Sequence, residues 1–451
     1  MHTMSLPTTN RGVLLTLWKL GGPVTIQILL SSALALVDTL MVSGVGTAAL
    51  AGVGVVGRVY FVLGMVLAGL SSGTAVLVAQ YAGARRLRAA RGPIFLAVLL
   101  GLALTLPMTV VSLLWPREIA ALLSPDAAVI DAAATFLFWS AFVAPLTAIT
   151  STLGAVLRST GNTRLPMWAG LAALGVNTVL NVLFINGNFG MPAYGVAAAA
   201  AATTVARIVE MIWLTIALKP GPLLRLHAGL RRRDADLVMG SSGPLMLKEI
   251  AWAGGILAST LIISRMGEKA LAAYHLIVPV DGVMISAVVG CAVATGILLG
   301  HALGRSAFGE AADSARRMLR MVSRSAFALG IVLALLVQGL RHAGWLEGAI
   351  DPVLHDDALD ALTMLCVGFG ARAHNTMVTL GILRSGNDSR WLFQVDLCSM
   401  WLVNVPLVAF AALVLHWPLP AVVAVMTLEE VCKVWLFGWR VKSGRWLQKI
   451  A

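Results

Sequence analysis

Apolar runs of twenty or more residues recur along the whole chain, those at 20–42 and 93–115 among the clearest. A run of that length crosses the roughly 30 Å hydrocarbon core of a bilayer as one helix. Inside that core every backbone N–H and C=O has to be satisfied within the protein, so such a chain folds as a bundle of helices. Only 12% of the 451 residues are charged and 59% are hydrophobic, against about 25% charged in soluble domains. A water-soluble globular enzyme and a disordered chain are both excluded.

Charged, Pro-rich and Gly-rich breaks leave twelve apolar segments, at about 20–43, 51–79, 93–115, 130–157, 165–186, 193–218, 237–264, 271–301, 320–340, 359–383, 391–415 and 419–439. The net charge of +12 sits in short basic clusters between these segments, which is a topology signal and not a nucleic-acid footprint. Assigning the connections alternately to two sides places 24 Lys and Arg residues on one side and four on the other, Arg117, Arg265, Lys269 and Arg341. That asymmetry predicts a multi-pass protein of the cell (inner) membrane with both termini in the cytoplasm. The first run is longer than the roughly 7–15 apolar residues of a signal peptide, so it is expected to be a retained span.

No connection exceeds about 20 residues and no GxxxxGK[ST] pattern occurs, which leaves no place for a nucleotide-hydrolysing domain. Cys291, Cys366, Cys398 and Cys432 all lie in apolar stretches without metal-ligand spacing, so neither zinc nor a disulfide framework is expected.

Aligned against itself, the chain repeats. At an offset of 221, Pro23 falls on Pro244, Thr39 on Thr260, Gly46 on Gly267, Ala49-Leu50-Ala51 on Ala270-Leu271-Ala272, Thr74 on Thr295 and Gly83 on Gly304. At 226, Leu157-Arg158-Ser159 falls on Leu383-Arg384-Ser385, and both are followed by a Gly-Asn turn. An offset of six spans gives two parallel repeats, the arrangement of alternating-access transporters. The expected organisation is an all-α polytopic protein with a first six-helix lobe at 1–218, a basic linker at 219–236 and a second six-helix lobe at 237–451.

Ionisable groups inside spans are costly unless paired or wet, so each marks a candidate site. Asp38 lies about six residues, roughly 9 Å, below the outer end of span one, and Asn181 on span five lies at a matching depth. Asn177 shares a helical face with Asn181, and Thr203 or Thr204 on span six offers a hydroxyl. Asp38 stands either as an ion acceptor or as the partner of Arg58 on span two in a structural ion pair; the amides serve either the ion or helix packing. The second half holds Lys248, Glu249, Asp281, Arg372, Asp396, Glu429 and Glu430, of which Glu249, Asp281 and Glu430 fall near mid-membrane. A charge-paired structural network lining a cavity is favoured over a second coupling site there. His275 and His374 are read as polar lining.

These motifs resemble the multidrug and toxic compound extrusion (MATE) family of cation-coupled exporters. The likeness is carried by Pro23, Val37-Asp38-Thr39, Gly44, Gly46 and Ala48-Ala49-Leu50-Ala51. It continues through Leu157-Arg158-Ser159-Thr160-Gly161-Asn162-Thr163-Arg164 and Asn177, Asn181 and Phe189-Gly190. In the second half it rests on Gly243-Pro244, Arg265-Met266-Gly267, Leu383-Arg384-Ser385-Gly386-Asn387 and Gly444-Arg445-Trp446. The resemblance implies export of amphiphilic, often cationic, organic compounds in exchange for entering protons or sodium ions, with no cofactor and no ATP. In the DinF-like branch of the family a first-lobe site joins an aspartate on span one to an Asn-x-x-x-Asp pair on span five and a threonine on span six. Asp38, Asn177 and Thr203 or Thr204 fit that pattern, and Asn181 departs from it. Another branch places a sodium site in the second lobe, which Glu249 and the acid-free Ala373-His374-Asn375 match poorly.

With one carboxylate where the branch has two, H+ is preferred over Na+ as the coupling ion, because a lone shielded carboxylate can titrate near neutrality. The expected partners are the lipid bilayer and a small organic substrate, with the monomer as the working unit. A lipid-linked oligosaccharide flippase of the same superfamily is the nearest alternative, and a channel a further one. A membrane-embedded hydrolase is disfavoured by the lack of HExxH.

Overall fold

The computed structural model describes residues 6–7, 9–218, 231–344 and 351–450. They form α1 (Asn10–Ser43), α2 (Thr47–Gly83), α3 (Arg91–Leu114), α4 (Pro116–Leu123), α5 (Ala127–Trp139), α6 (Val143–Ser159), α7 (Arg164–Phe184) and α8 (Val196–Leu218). The second half adds α9 (Arg232–Ser264), α10 (Glu268–Gly304), α11 (Phe308–His342), α12 (Pro352–Thr376), α13 (Ser389–Cys398), α14 (Val405–Ala409) and α15 (Leu419–Lys442). Three π-helical stretches, Met377–Leu383, Ser399–Asn404 and Phe410–Val414, extend α12 and join α13 to α14 and beyond. No strand occurs among the described residues.

Nine of these helical spans are long and apolar enough to cross a membrane among the described residues, and α5 with α6, bent by 49°, makes a tenth. α12 and α15, at 25 and 24 residues, are as long but carry Asp356, Asp357, Asp360 and Arg372, and Glu429, Glu430 and Lys433. Together these segments cover the twelve expected ones, which makes the chain an all-α polytopic bundle. Several helices outrun their apolar stretches: α1 begins at Asn10 and not near residue 20, and α11 at Phe308 and not near 320. Strong helix formers such as Ala, Arg, Met and Leu carry the backbone ladder past the end of the apolar run. Of the expected linker, 219–230 lies outside the described residues, and α9 already begins at Arg232.

The turns show the repeat in the backbone. The N-caps of α2 and α10 are Gly46 (φ 144°) and Gly267 (φ 115°), conformations that a side chain would strain. Arg85 and Ser306 are the left-handed residues after α2 and α10. Their helices close with equivalent hydrogen bonds, Arg86 N to Tyr81 O at 2.9 Å and Ala307 N to Ala302 O at 3.0 Å. After α6, Asn162 N donates to Leu157 O, and after the helix through Leu383, Asp388 N donates to Leu383 O, both at 3.1 Å. Here the left-handed residue is Gly161 in one half and Asn387 in the other. The equivalent of Gly161 is therefore Asn387, one residue later than the matching Gly-Asn pairs imply.

The chain divides into two compact units, one of residues up to Thr25 with Leu247–Ala451, the other Ile26–Met246. The boundaries of the units and of the sequence repeats thus differ: α1 and α9 each change unit within the helix, two residues past Pro23 and Pro244. In the unit of Ile26–Met246, α9 lies against α2 so closely that a Cβ on Gly73 would meet the Ser242 backbone at 2.5 Å, and Ser242 Oγ donates to Leu70 O at 3.1 Å. In the other unit Gly21 of α1 meets Gly290 of α10 with the same closeness, and Thr25 Oγ1 donates to Ser286 O at 3.4 Å. Small residues permit this backbone approach where lipid supplies no hydrophobic drive.

Candidate functional site

Within the unit of Ile26–Met246, the C-terminal thirds of α1 and α7 and the start of α8 bring Asp38, Asn177, Asn181 and Thr203 together. An apolar cluster of Val42, Ala49, Ile185, Val196, Ala198 and Ala199 sits at the end of these helices and fixes their register. Asn181 Nδ2 donates to Asp38 Oδ1 at 2.8 Å and to Asn177 Oδ1 at 3.1 Å. Asn177 Nδ2 donates to Thr203 Oγ1 at 3.3 Å, and Thr203 Oγ1 in turn donates to Ala199 O at 2.9 Å.

Both asparagines are 2% exposed while Asp38 is half-buried. Asn181 Oδ1 is buried and accepts nothing from the described residues. An amide can turn end for end. With Asn177 turned, its nitrogen lies 3.1 Å from Asp38 Oδ1 and its oxygen accepts from the Thr203 N–H at 3.2 Å. The turned nitrogen also lies 3.1 Å from Asn181 Nδ2, so turning Asn177 alone sets two N–H donors against each other.

Thr204 points elsewhere. Its hydroxyl donates to Trp139 O at 2.9 Å and Ala200 O at 3.1 Å, tying α8 to the end of α5. Arg58 is exposed on α2 and makes no ion pair with Asp38 among the described residues, so the alternative partner for Asp38 is not engaged. Sequence reasoning also missed Glu210, the partner of Arg207 on α8. Arg207 NH1 pairs with Glu210 Oε2 at 2.7 Å, and Arg158, counted with the cytoplasmic charges, lies half-buried within reach of the Glu210 carboxylate.

The other unit holds the larger set. Lys248 Nζ lies 3.4 Å from both Glu249 Oε1 and Asp396 Oδ2, and Arg384 reaches Glu249 at 3.5 Å. Lys433 Nζ lies 2.7 Å from Glu429, 3.7 Å from Glu430 and 3.9 Å from Asp396. Arg372 pairs with Asp281. Asn375 Nδ2 donates to Glu430 Oε2 at 2.6 Å, and Asn404 Nδ2 to Glu429 Oε2 at 3.3 Å. His374 Nδ1 sits 3.1 Å from Ser323 Oγ, apart from the acids. The expected members Lys248, Glu249, Asp281, Arg372, Asp396, Glu429 and Glu430 are thus all ion-paired, and Arg384 and Lys433 supply further cations to them. No group of three His, Cys, Asp or Glu that could hold a metal ion occurs among the described residues.

The two sites lie on a frame shared with known proteins. The family model described as MatE matches residues 23–183 and 244–410, one block in each repeat. The uncharacterized transporter YisQ of Bacillus subtilis (strain 168) is 22% identical over 444 residues, covering 96% of this chain and 95% of its own. The probable multidrug resistance protein NorM of Bradyrhizobium diazoefficiens is 27% identical over 400 residues, covering 86% and 84%. The structure of the Vibrio cholerae MATE transporter VcmN in the bent form superposes with a TM-score of 0.85 at 17% identity, across 98% of this chain and 100% of that one. That last likeness is one of fold. Since the two matched blocks span most of its length, the chain belongs to the MatE family and is a multi-pass membrane transporter of the multidrug and toxic compound extrusion type.

Proposed function

We propose that the protein is a proton-coupled antiporter of the cytoplasmic membrane that exports amphiphilic or cationic organic compounds by alternating access, with Asp38 as the proton acceptor. The observation that carries this reading is the direction of the Asn181 amide: its nitrogen faces Asp38 Oδ1 at 2.8 Å. An N–H donor stabilises a carboxylate but repels a metal cation, whose ligands are oxygens. A proton needs one basic oxygen, and Asp38 offers it.

Protonation has a mechanical consequence at this site. An ionised Asp38 accepts from the Asn181 amide. A protonated Asp38 becomes a donor, and the buried Asn181 Oδ1 lacks one. Exchange between these two hydrogen-bond patterns couples the charge state of α1 to the packing of α7 and α8. That is the bistable element an exchanger requires if ion entry is to drive export. The multidrug resistance label of the NorM relatives supports the substrate class.

The test is dye efflux from proteoliposomes with proton and sodium gradients imposed separately. Export that follows an inward proton gradient without sodium is expected. Export that stops at a fixed proton gradient until sodium is added overturns the proton reading. The sodium alternative draws on the oxygens of Asp38, Asn177, Asn181 and Thr203, and requires the Asn181 amide to turn its oxygen toward Asp38. Orientation is tested by reporters fused after Arg91, Arg233 and Lys449, all expected to report cytoplasm, and an external signal at any of them overturns the topology.

A further inference from the structure

The cations deep in the expected spans are not treated alike. Arg207 pairs with Glu210, Lys248 with Glu249 and Asp396, Arg372 with Asp281, and Lys433 with Glu429. Arg58 on α2 has neither an ion pair nor a hydrogen bond among the described residues, and it is exposed. It follows the start of α2 at Thr47 by eleven residues, roughly 16 Å, and lies farther from the end at Gly83. A charge so placed is held by a partner or by water.

The face that carries Arg58 is built for water. Gly54, Gly57, Arg58 and Phe61 follow one another at i, i+3, i+4 and i+7 on one side of α2, and all are exposed, while Val56 and Leu67 on the opposite side are buried. A Cβ on Gly54, Gly57 or Gly64 would meet nothing within 4 Å. Other helices of the same unit expose a different surface, Leu104, Leu106 and Leu114 on α3 and Ile208, Ile212 and Ile216 on α8. Large apolar side chains suit lipid. Bare glycine backbone around an arginine suits a water-filled space.

Two chemistries meet on this strip. A guanidinium presents paired N–H donors that match a carboxylate, sulfonate or phosphate, and it repels a simple cation. Phe61, one turn along the same face, offers an exposed aromatic ring to the apolar part of the same molecule. We propose that Arg58 sets the substrate class: it binds the anionic group of the exported compound, so that zwitterionic and anionic amphiphiles are taken in preference to compounds carrying positive charge alone. This deepens the transport reading above and rests on it for export, whereas the binding preference does not depend on the coupling ion.

The test uses two dyes that differ at one group. Rhodamine 110 carries a free carboxylate and is a zwitterion, and rhodamine 123 is its methyl ester, a cation. Affinities are read by fluorescence polarisation on the purified protein in a maltoside detergent, which contains no phosphate. The wild type is expected to bind rhodamine 110 about tenfold more tightly, the worth of a charge-assisted hydrogen-bonded pair, and Arg58→Gln to bind the two alike. Arg58→Lys, which keeps the charge and loses the planar fork, is expected to retain part of the preference. Wild-type protein without the preference, or Arg58→Gln with it, overturns the proposal. If Arg58→Gln does not fold, Arg58→Lys decides, and a preference equal to the wild type overturns it. Phosphatidylglycerol that abolishes the wild-type preference when added to the detergent assigns the guanidinium to a lipid phosphate, which also overturns it. Export that follows sodium and not protons, with the dye preference intact, overturns the coupling reading and leaves Arg58 in its role.

Discussion

The Asp38 cluster and the network around Lys433 are built on corresponding helices of two repeats, yet they solve opposite problems. The first holds a lone carboxylate with neutral amides, and no cation pairs with it among the described residues. The second locks carboxylates against lysines and arginines, with Lys433 within 4 Å of three acids. Neutral donors let a charge come and go at modest cost, while ion pairs buried in a bundle fix it, because removing one partner strands the other. The difference shows that duplication supplies the scaffold and a few substitutions decide whether a given place holds a lone carboxylate or an ion-paired set.

The contrast breaks most sharply at Asp38. Asp38→Asn is expected to reduce gradient-driven export to background in proteoliposomes, with expression and melting temperature near the wild type, since the amide keeps the volume and loses the titratable charge. An equally stable variant with normal export removes Asp38 from the mechanism.

Lys433→Ala is expected to do the reverse. Leaving Glu429 and Glu430 without their shared cation costs about 3–5 kcal/mol, seen as a lower melting temperature and loss of monodisperse protein after extraction. A Lys433→Ala protein as stable as wild type means that the network is not a staple.

Asn181→Asp sharpens the comparison by giving the first site a second acid. Export should persist, with one pH-dependent step replaced by two coupled ones. A single unchanged step shows that residue 181 does not share the titration.

The smallest effect separates neighbours on α8. Thr203→Val should lower the export rate several-fold, because its hydroxyl accepts from Asn177, a hydrogen bond of about 1 kcal/mol. Thr204→Val, which loses only its contacts to Trp139 and Ala200, should leave the pH dependence of export unchanged.

The bundle was legible in the sequence because apolar length and the spacing of Arg and Lys clusters are one-dimensional signals. The pairing of Asp38 with Asn181 followed from depth counting along two helices. The choice between Thr203 and Thr204 did not, since adjacent residues on a helix point about 100° apart and only packing decides which faces α7. Arg158 and Arg384 were counted as surface charges because they flank turns, and their side chains instead enter the bundle toward Glu210 and Glu249. Asn404 escaped notice for a further reason: the π-helical stretch Ser399–Asn404 shifts the register to 227, so alignment at 226 sets Asn177 against Val403.

The change of unit within α1 and α9 bears on how the chain is made. Residues up to Thr25 belong with Leu247–Ala451, and the unit of Ile26–Met246 is complete only when the first half of α9 is in place. The Gly69 and Gly73 surface of α2 waits for Met246 and Ser242, and Gly21 waits for Gly290. Synthesis from the N-terminus therefore delivers the earliest helix to a unit assembled last. A ribosome that stops at the basic linker releases a half with a bare glycine groove and an unclaimed helix end.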